Sequence, residues 1–160
     1  MTLTAFMKLP DVEGESVRVG HEREIDVFDI QWALGRDLRT RAGTGRVRGR
    51  PGVGPLAVWK WDDAASPHLA LALLLGKSFP EAAIMLRTPS NDMDLDDLTI
   101  TLSNATVSHY EIVGADGDPA VLQERLDLVF EAANIRHTGQ AAGHSSGNGH
   151  EIGHDIGARA

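Results

Sequence analysis

The chain has 160 residues, a formal net charge of −8 and no cysteine. That length suits a single domain able to bury a core without disulfides or metal. Disulfides, thiolate metal sites and cysteine nucleophiles are excluded, and the acidic balance argues against a protein that coats nucleic acid.

The opening Met1-Thr2-Leu3-Thr4-Ala5-Phe6-Met7-Lys8 does not read as a signal peptide, because Pro10 and Asp11 cut short any apolar stretch. Ile25 to Leu34 reads as a strand. Ile25 and Val27 hold one parity; Phe28, Ile30, Trp32 and Leu34 hold the other. A phase slip at Val27-Phe28 predicts a β-bulge or a move between two sheets. Gly35 to Gly54 carries six arginines (Arg36, Arg39, Arg41, Arg46, Arg48, Arg50), one acid (Asp37), and no apolar period. It is expected to be an extended, mobile Gly/Arg-rich loop. Such a basic loop would suit the acidic surface of another copy of the chain.

Pro55 to Trp61 alternates with apolar groups on both parities, which predicts burial on both faces. Ser66 is the expected N-cap of a short helix, with Pro67 at its first position and Gly76 as its stop. The run Leu69 to Leu75 is too short to cross a bilayer, which needs ~20 residues. Being apolar nearly all round, the helix should be largely covered. Phe79 to Arg87 is a further strand. Leu98 to Leu102 alternates and continues through Val107 to Val113 after a break near Asn104, and Asp116 to Pro119 forms a turn. In Ala120 to Thr138 both periods fit: Leu122, Leu126, Val129, Phe130 and Ala133 form a helical stripe, while Leu126, Leu128 and Phe130 alternate as a strand, with helix slightly favoured. Residues 139 to 160 read as a flexible Gly/His-rich tail. The element order lacks βαβ alternation. It predicts a mainly β fold: a small antiparallel barrel with one flanking helix, closed so that strand edges are removed.

Four segments in order resemble the haemolysin-coregulated proteins, the tube subunits of type VI secretion systems. They are Leu9-Pro10-Asp11-Val12-Glu13-Gly14-Glu15-Ser16; Gly20-His21-Glu22 with Glu24-Ile25-Asp26-Val27 and Ile30-Gln31-Trp32; Ala65 to Ala70 with Gly76 to Glu81; and Leu98 to Leu102 with Val107-Ser108. The resemblance runs from about Ala5 to Thr138. It implies a barrel domain over 1–138 and turns Leu126 to Arg136 into a final strand. It implies self-association as a homo-hexameric ring, and rings stacked into a tube. Sheath and spike proteins would be the partners, and small effectors the cargo. No nucleic acid, membrane insertion, cofactor or catalytic residue is implied. The Gly-rich loop would reach the adjacent ring, which makes Arg39, Arg41, Arg46, Arg48 and Arg50 candidate stacking residues. The expected location is cytoplasmic before assembly, then secreted without a signal peptide.

Other constellations have bland readings. Asp92, Asp94 and Asp96 imitate the start of a calcium loop, but the sixth position is Asp97 instead of glycine and the twelfth is Ser103 instead of glutamate. The arginine loop offers no aromatic residue to stack bases and no P-loop pattern. His150-Glu151-Ile152-Gly153-His154 matches HExxH, which on a helix puts two imidazoles on one face for zinc. Its glycines weaken a helix and no third histidine follows. A tail without metal is expected; a zinc-binding effector tail, or a phage-tail-tube-like module, is the alternative. His21, His68, His109 and His137 read as ordinary surface or barrel residues, and Trp32, Trp59 and Trp61 as core or interface. Ser66 reads as a helix cap and not as a nucleophile.

Overall fold

In the computed structural model, residues 4–41, 45–87, 98–140 and 146–155 are described. The strands are β1 (Thr4–Lys8), β2 (Ile25–Gln31), β3 (Leu34–Arg41), β4 (Gly45–Val53), β5 (Leu56–Trp61), β6 (Ser78–Arg87), β7 (Leu98–Asp116), β8 (Val121–Val129), β9 (Ala132–Gln140) and β10 (Ser146–Asp155), with one helix, α1 (Ser66–Leu75). The main sheet runs β10-β9-β7-β6-β1-β2-β5-β8, and a further β7–β8 pairing closes six of these strands into a barrel. All its pairings are antiparallel. The barrel is filled by inward residues of each strand, among them Met7, Ile25, Leu56, Ile84, Leu102, Leu126 and Leu128. The expected barrel with one flanking helix is the fold observed.

The phase slip in β2 is a bulge. Val27 pairs with Lys60 and Asp29 with Trp59, so Phe28 is the extra residue. Its ring lies 4.7 Å from that of Trp61. The break near Asn104 does not end β7. Asn104 takes a left-handed conformation (φ 49) and its side chain donates to Glu131 at 2.7 Å. There β7 changes partner, pairing with β9 up to Ser103 and with β8 from Thr106. Asparagine tolerates this conformation better than most residues.

Three expectations are corrected. The slight helical preference over Ala120 to Thr138 fails: β8 and β9 occupy it, because the flanking β5 and β7 supply hydrogen-bond partners that periodicity does not encode. The strand implied over Leu126 to Arg136 is divided at Phe130-Glu131, where Glu131 N–H donates to Ser103 O at 3.0 Å. The stretch read as an aperiodic tail contains β10, paired with β9 from Ser146 to Asp155.

At α1 the N-cap is Ala65, not Ser66, and no side chain caps it. Asp63 turns the chain instead, its Oδ1 accepting from Ala65 N–H at 3.0 Å. Gly76 (φ 63) ends the helix as expected, its N–H donating to Leu73 O and that of Lys77 to Ala72 O. The helix is less covered than its composition predicts: it buries Leu69 and Ala72 but exposes Leu71, Leu74 and Leu75. Between β1 and β2, Gly14 is fixed by close approach, since a Cβ there would sit 2.4 Å from Glu24 O.

Candidate assembly surface

The segment expected to be a mobile loop is a β-hairpin, β3–β4, forming a two-stranded sheet of its own. It leaves the barrel between β2 and β5, which are neighbours. Its base is fastened by Gly54 N–H to Ala33 O at 3.1 Å and by the Trp32 indole N–H to Gly54 O at 3.1 Å. Trp32 also meets Phe130 edge-on at 5.8 Å. Strand structure wins here because Leu34 to Arg41 and Gly45 to Val53 satisfy each other's backbone groups, which needs no apolar pattern.

The register places the arginines. Arg39 pairs with Val47 and Arg41 with Gly45; Thr40 pairs with Arg46 and Leu38 with Arg48. Arg36, Arg39 and Arg41 stand on β3, and Arg46, Arg48 and Arg50 on β4. The register shifts between Arg36–Pro51 and Leu38–Arg48, which adds one residue on β4 beside Arg50. Both strands are rich in arginine, and Asp37 is the single acid of the segment. A two-stranded ribbon is marginal alone in water, and like charges weaken it further.

A second constellation is polar and buried. Lys60 on β5 is fully buried, and its ammonium lies 2.7 Å from Glu124 Oε2, 2.9 Å from Asp63 Oδ1, 3.0 Å from Ser66 Oγ and 2.8 Å from Trp61 O. Ser66 donates to Glu124 Oε2 at 2.8 Å and accepts from Asp63 N–H at 3.0 Å. The Tyr110 hydroxyl donates to Glu124 Oε1. Burial pushes the Glu124 carboxyl up, but hydrogen bonds from Lys60, Tyr110 and Ser66 outweigh it and hold it below the usual range. Burial, followed by the Glu124 carboxylate, raises the Tyr110 hydroxyl. A serine beside a lysine and a glutamate has the composition of a nucleophilic site, but Lys60, Ser66 and Glu124 are 0 %, 4 % and 1 % exposed and no substrate reaches them. The cluster instead ties α1 to β5, β7 and β8, where the barrel closes. In the sequence, a lysine in phase with Leu56 and Val58 in an apolar strand, at Lys60, was its only trace.

The HExxH stretch lies on β10, not on a helix. A strand spaces the 150 and 154 backbones by about 13 Å, where a helical turn brings such positions to about 6 Å. The one-turn spacing that the zinc motif requires is absent, so the zinc-tail alternative is not supported. His150 pairs in register with His137 of β9. Asp92, Asp94 and Asp96 lie outside the described residues. His21 is buried, stacked on Phe6 at 4.2 Å, with Nδ1 2.5 Å from Glu24 Oε2; His68, His109 and His137 are exposed. The Arg125 guanidinium lies 5.3 Å from the Trp59 ring. No helix among the described residues is long and apolar enough to cross a membrane.

A family model described as "Type VI secretion system effector, Hcp" matches residues 6–137. Protein hcp1 of Pseudomonas aeruginosa is 30% identical over 142 residues, covering 89% of this chain and 87% of that protein. The fold is similar to a solved type six secretion system protein (TM-score 0.87, 27% identity, 96% of each chain). It is also similar to Hcp1 from Salmonella typhimurium (TM-score 0.79, 26% identity, 99% of this chain and 97% of that one). A basic hairpin raised on a closed six-stranded barrel, together with these similarities over nearly the whole chain, places the protein in the Hcp family of secreted, structural type VI secretion tube proteins, which is not a family of enzymes.

Proposed function

We propose that six copies of this chain close into a ring and that rings stack into the tube, with the β3–β4 hairpin reaching from one ring to the next. The observation that carries this reading is the hairpin itself. It is a ribbon that hydrogen-bonds to no other strand among the described residues and has three arginines on each of its two strands. A ribbon of that kind gains order when a second surface covers it and supplies counter-charge. In this reading Arg39, Arg41, Arg46, Arg48 and Arg50 are the stacking residues. Residues 1–138 form the tube unit and 139–160 an appendage, which agrees with a family match ending at residue 137. The sheath and spike of the apparatus are the outer partners, and the lumen carries small effectors. The subunit is made in the cytoplasm and leaves the cell through the apparatus. No step of this role needs catalysis, metal or cofactor.

Negative-stain images and sedimentation of the purified protein test the proposal. Rings at micromolar concentration and tubes at higher concentration are expected. Arg39→Glu/Arg41→Glu/Arg46→Glu should leave rings and abolish tubes. A wild-type chain that sediments as a monomer at every concentration refutes the reading. Release into the medium that depends on a contractile apparatus separates it from a tail-tube-like module that does not secrete.

A further inference from the structure

The core layer of the barrel continues beyond the barrel. Ile100 on β7 is 4% exposed; it pairs with Ile135 on β9, and Ile135 pairs with Ile152 on β10. Side chains at directly paired positions share a face of the sheet, so the three isoleucines form one row on the core-facing side. The row ends uncovered, with Ile152 74% exposed. Ile152 is the one large apolar residue of β10, which otherwise reads Ser-Gly-Asn-Gly-His-Glu before it and Gly-His-Asp after it. A branched apolar side chain held on a paired strand and left in water does little for the chain's own fold. A fitting recess lies elsewhere on the surface. Helix α1, the turn after β1 and the start of β6 enclose a cavity of about 150 Å³ whose apolar wall is Val12, Leu71, Ala72, Leu75 and Phe79. An apolar cavity of that size has room for a benzene-sized group, and the isoleucine side chain is smaller. Ile152 does not reach the recess of its own chain. Through Ile135 and Ile100 it stands level with Ile84, five residues along β6 from Phe79 and three strands away from it. That is about 17 Å along the strand and about 14 Å across the sheet.

Resting on the ring reading above, we infer that Ile152 of each copy enters the α1 recess of the next copy in the ring. Knob and recess are different surfaces of one chain, so the contact is heterologous, and a heterologous contact makes a ring when its rotation closes. A two-fold pair would instead need one patch that meets itself. An apolar side chain seated in a pocket is the kind of anchor that carries most of the binding at an interface, while the contacts around it exclude water. Leu71 and Leu75, 53% and 71% exposed in the single chain, become covered when the knob is seated. Ile152 lies beyond residues 6–137, the stretch that the family model matches, so the family match does not itself supply this contact. The 139–160 appendage is, on this inference, the arm by which one tube unit holds the next.

The chain has no cysteine, so introduced cysteines report the contact without background. Ile152→Cys and Leu75→Cys chains are mixed in equal amounts where rings form, oxidised, and run on a denaturing gel without reductant. The mixture should give a cross-linked pair that neither variant gives alone, because a disulfide needs its two Cα atoms within about 7 Å. The double variant Ile152→Cys/Leu75→Cys should give a ladder that ends at six chains. Ile152→Asp should keep its circular dichroism spectrum and sediment as a monomer. If rings form from the mixed cysteine variants and no cross-link appears above that of either alone, the inference is overturned while the ring reading survives. Rings unchanged by Ile152→Asp leave the recess to a different protein and also overturn it. If the wild type is a monomer at every concentration, it is the ring reading that fails, and the inference falls with it. Should Ile152→Asp unfold the chain, Ile152→Ala decides: a midpoint concentration for rings raised at least about tenfold supports the inference, and an unchanged midpoint overturns it.

Discussion

Replacing Lys60 by methionine tests what holds the barrel closed. The ammonium is fully buried between Glu124, Asp63, Ser66 and the Trp61 carbonyl, and Glu124 is 1% exposed. Methionine keeps most of the volume and removes the charge, leaving a buried carboxylate without its cation. Breaking one side of a buried pair typically destabilises by about 3–5 kcal/mol. For a domain of this size each kcal/mol moves Tm by about 2–4 °C, so a drop of about 6–20 °C is expected in a thermal melt. The loss should depend on pH. In the wild type Glu124 is held below its ordinary 4.5, so the cluster's contribution is present above that value and fades as pH falls through the folded-state pKa. In Lys60→Met the cation is gone, burial pushes the carboxyl up, and protonation relieves the variant on going from pH 7 to pH 4. The gap between the two proteins should therefore be widest near neutrality and narrow in acid. Lys60→Met/Glu124→Leu removes both charges, and should recover at least half of the loss, since an apolar replacement of a buried pair is often close to neutral. Denaturant midpoints for the four proteins of the cycle give the coupling directly. A loss under about 1 kcal/mol for Lys60→Met, the same at pH 4 and pH 7, would refute the reasoning, because a buried carboxylate left without its cation cannot be so cheap.

Three further outcomes follow from local geometry. Gly14→Ala places a Cβ 2.4 Å from Glu24 O, and the backbone shift this forces should cost about 1–3 kcal/mol in chemical denaturation. Asn104→Val should cost about 1–2 kcal/mol because a branched residue resists a φ of 49 at that site, whereas Asn104→Gly should lose less, only the bond to Glu131. Burial raises the Asp26 carboxyl above its ordinary value, so ionising it opposes folding once pH exceeds the unfolded value of 3.8. Asp26→Asn should accordingly raise Tm at pH 7 and leave it little changed at pH 3; an equal rise at both would show that charge is not the cause.

The elements legible in the sequence were those whose signal is local. Helix α1 announced itself through Pro67 and Gly76, and β2 showed its bulge as a change of parity between Val27 and Phe28. The elements missed depend on a partner elsewhere in the chain. Nothing in the arginine-rich stretch before Gly54 alternates, yet β3 and β4 pair because each satisfies the other's backbone. Leu122, Leu126 and Val129 satisfy a helical period, and β8 is a strand because β5 and β7 stand on either side of it. A histidine and glycine tract showed no period, and β10 exists because β9 offers an edge.

By its sequence alone the chain declared a cysteine-free, mainly β subunit with a short apolar helix and a concentrated run of arginine, because composition, parity and end signals act within a few residues. The tertiary structure decided where those charges go. It put Lys60 and Glu124, 64 residues apart, within 2.7 Å in the core, and set the arginine-rich hairpin and the 9–24 segment at opposite ends of the barrel. The physical reason is that strand pairing joins distant segments, and only the completed set of pairs fixes which face, end and depth each side chain occupies.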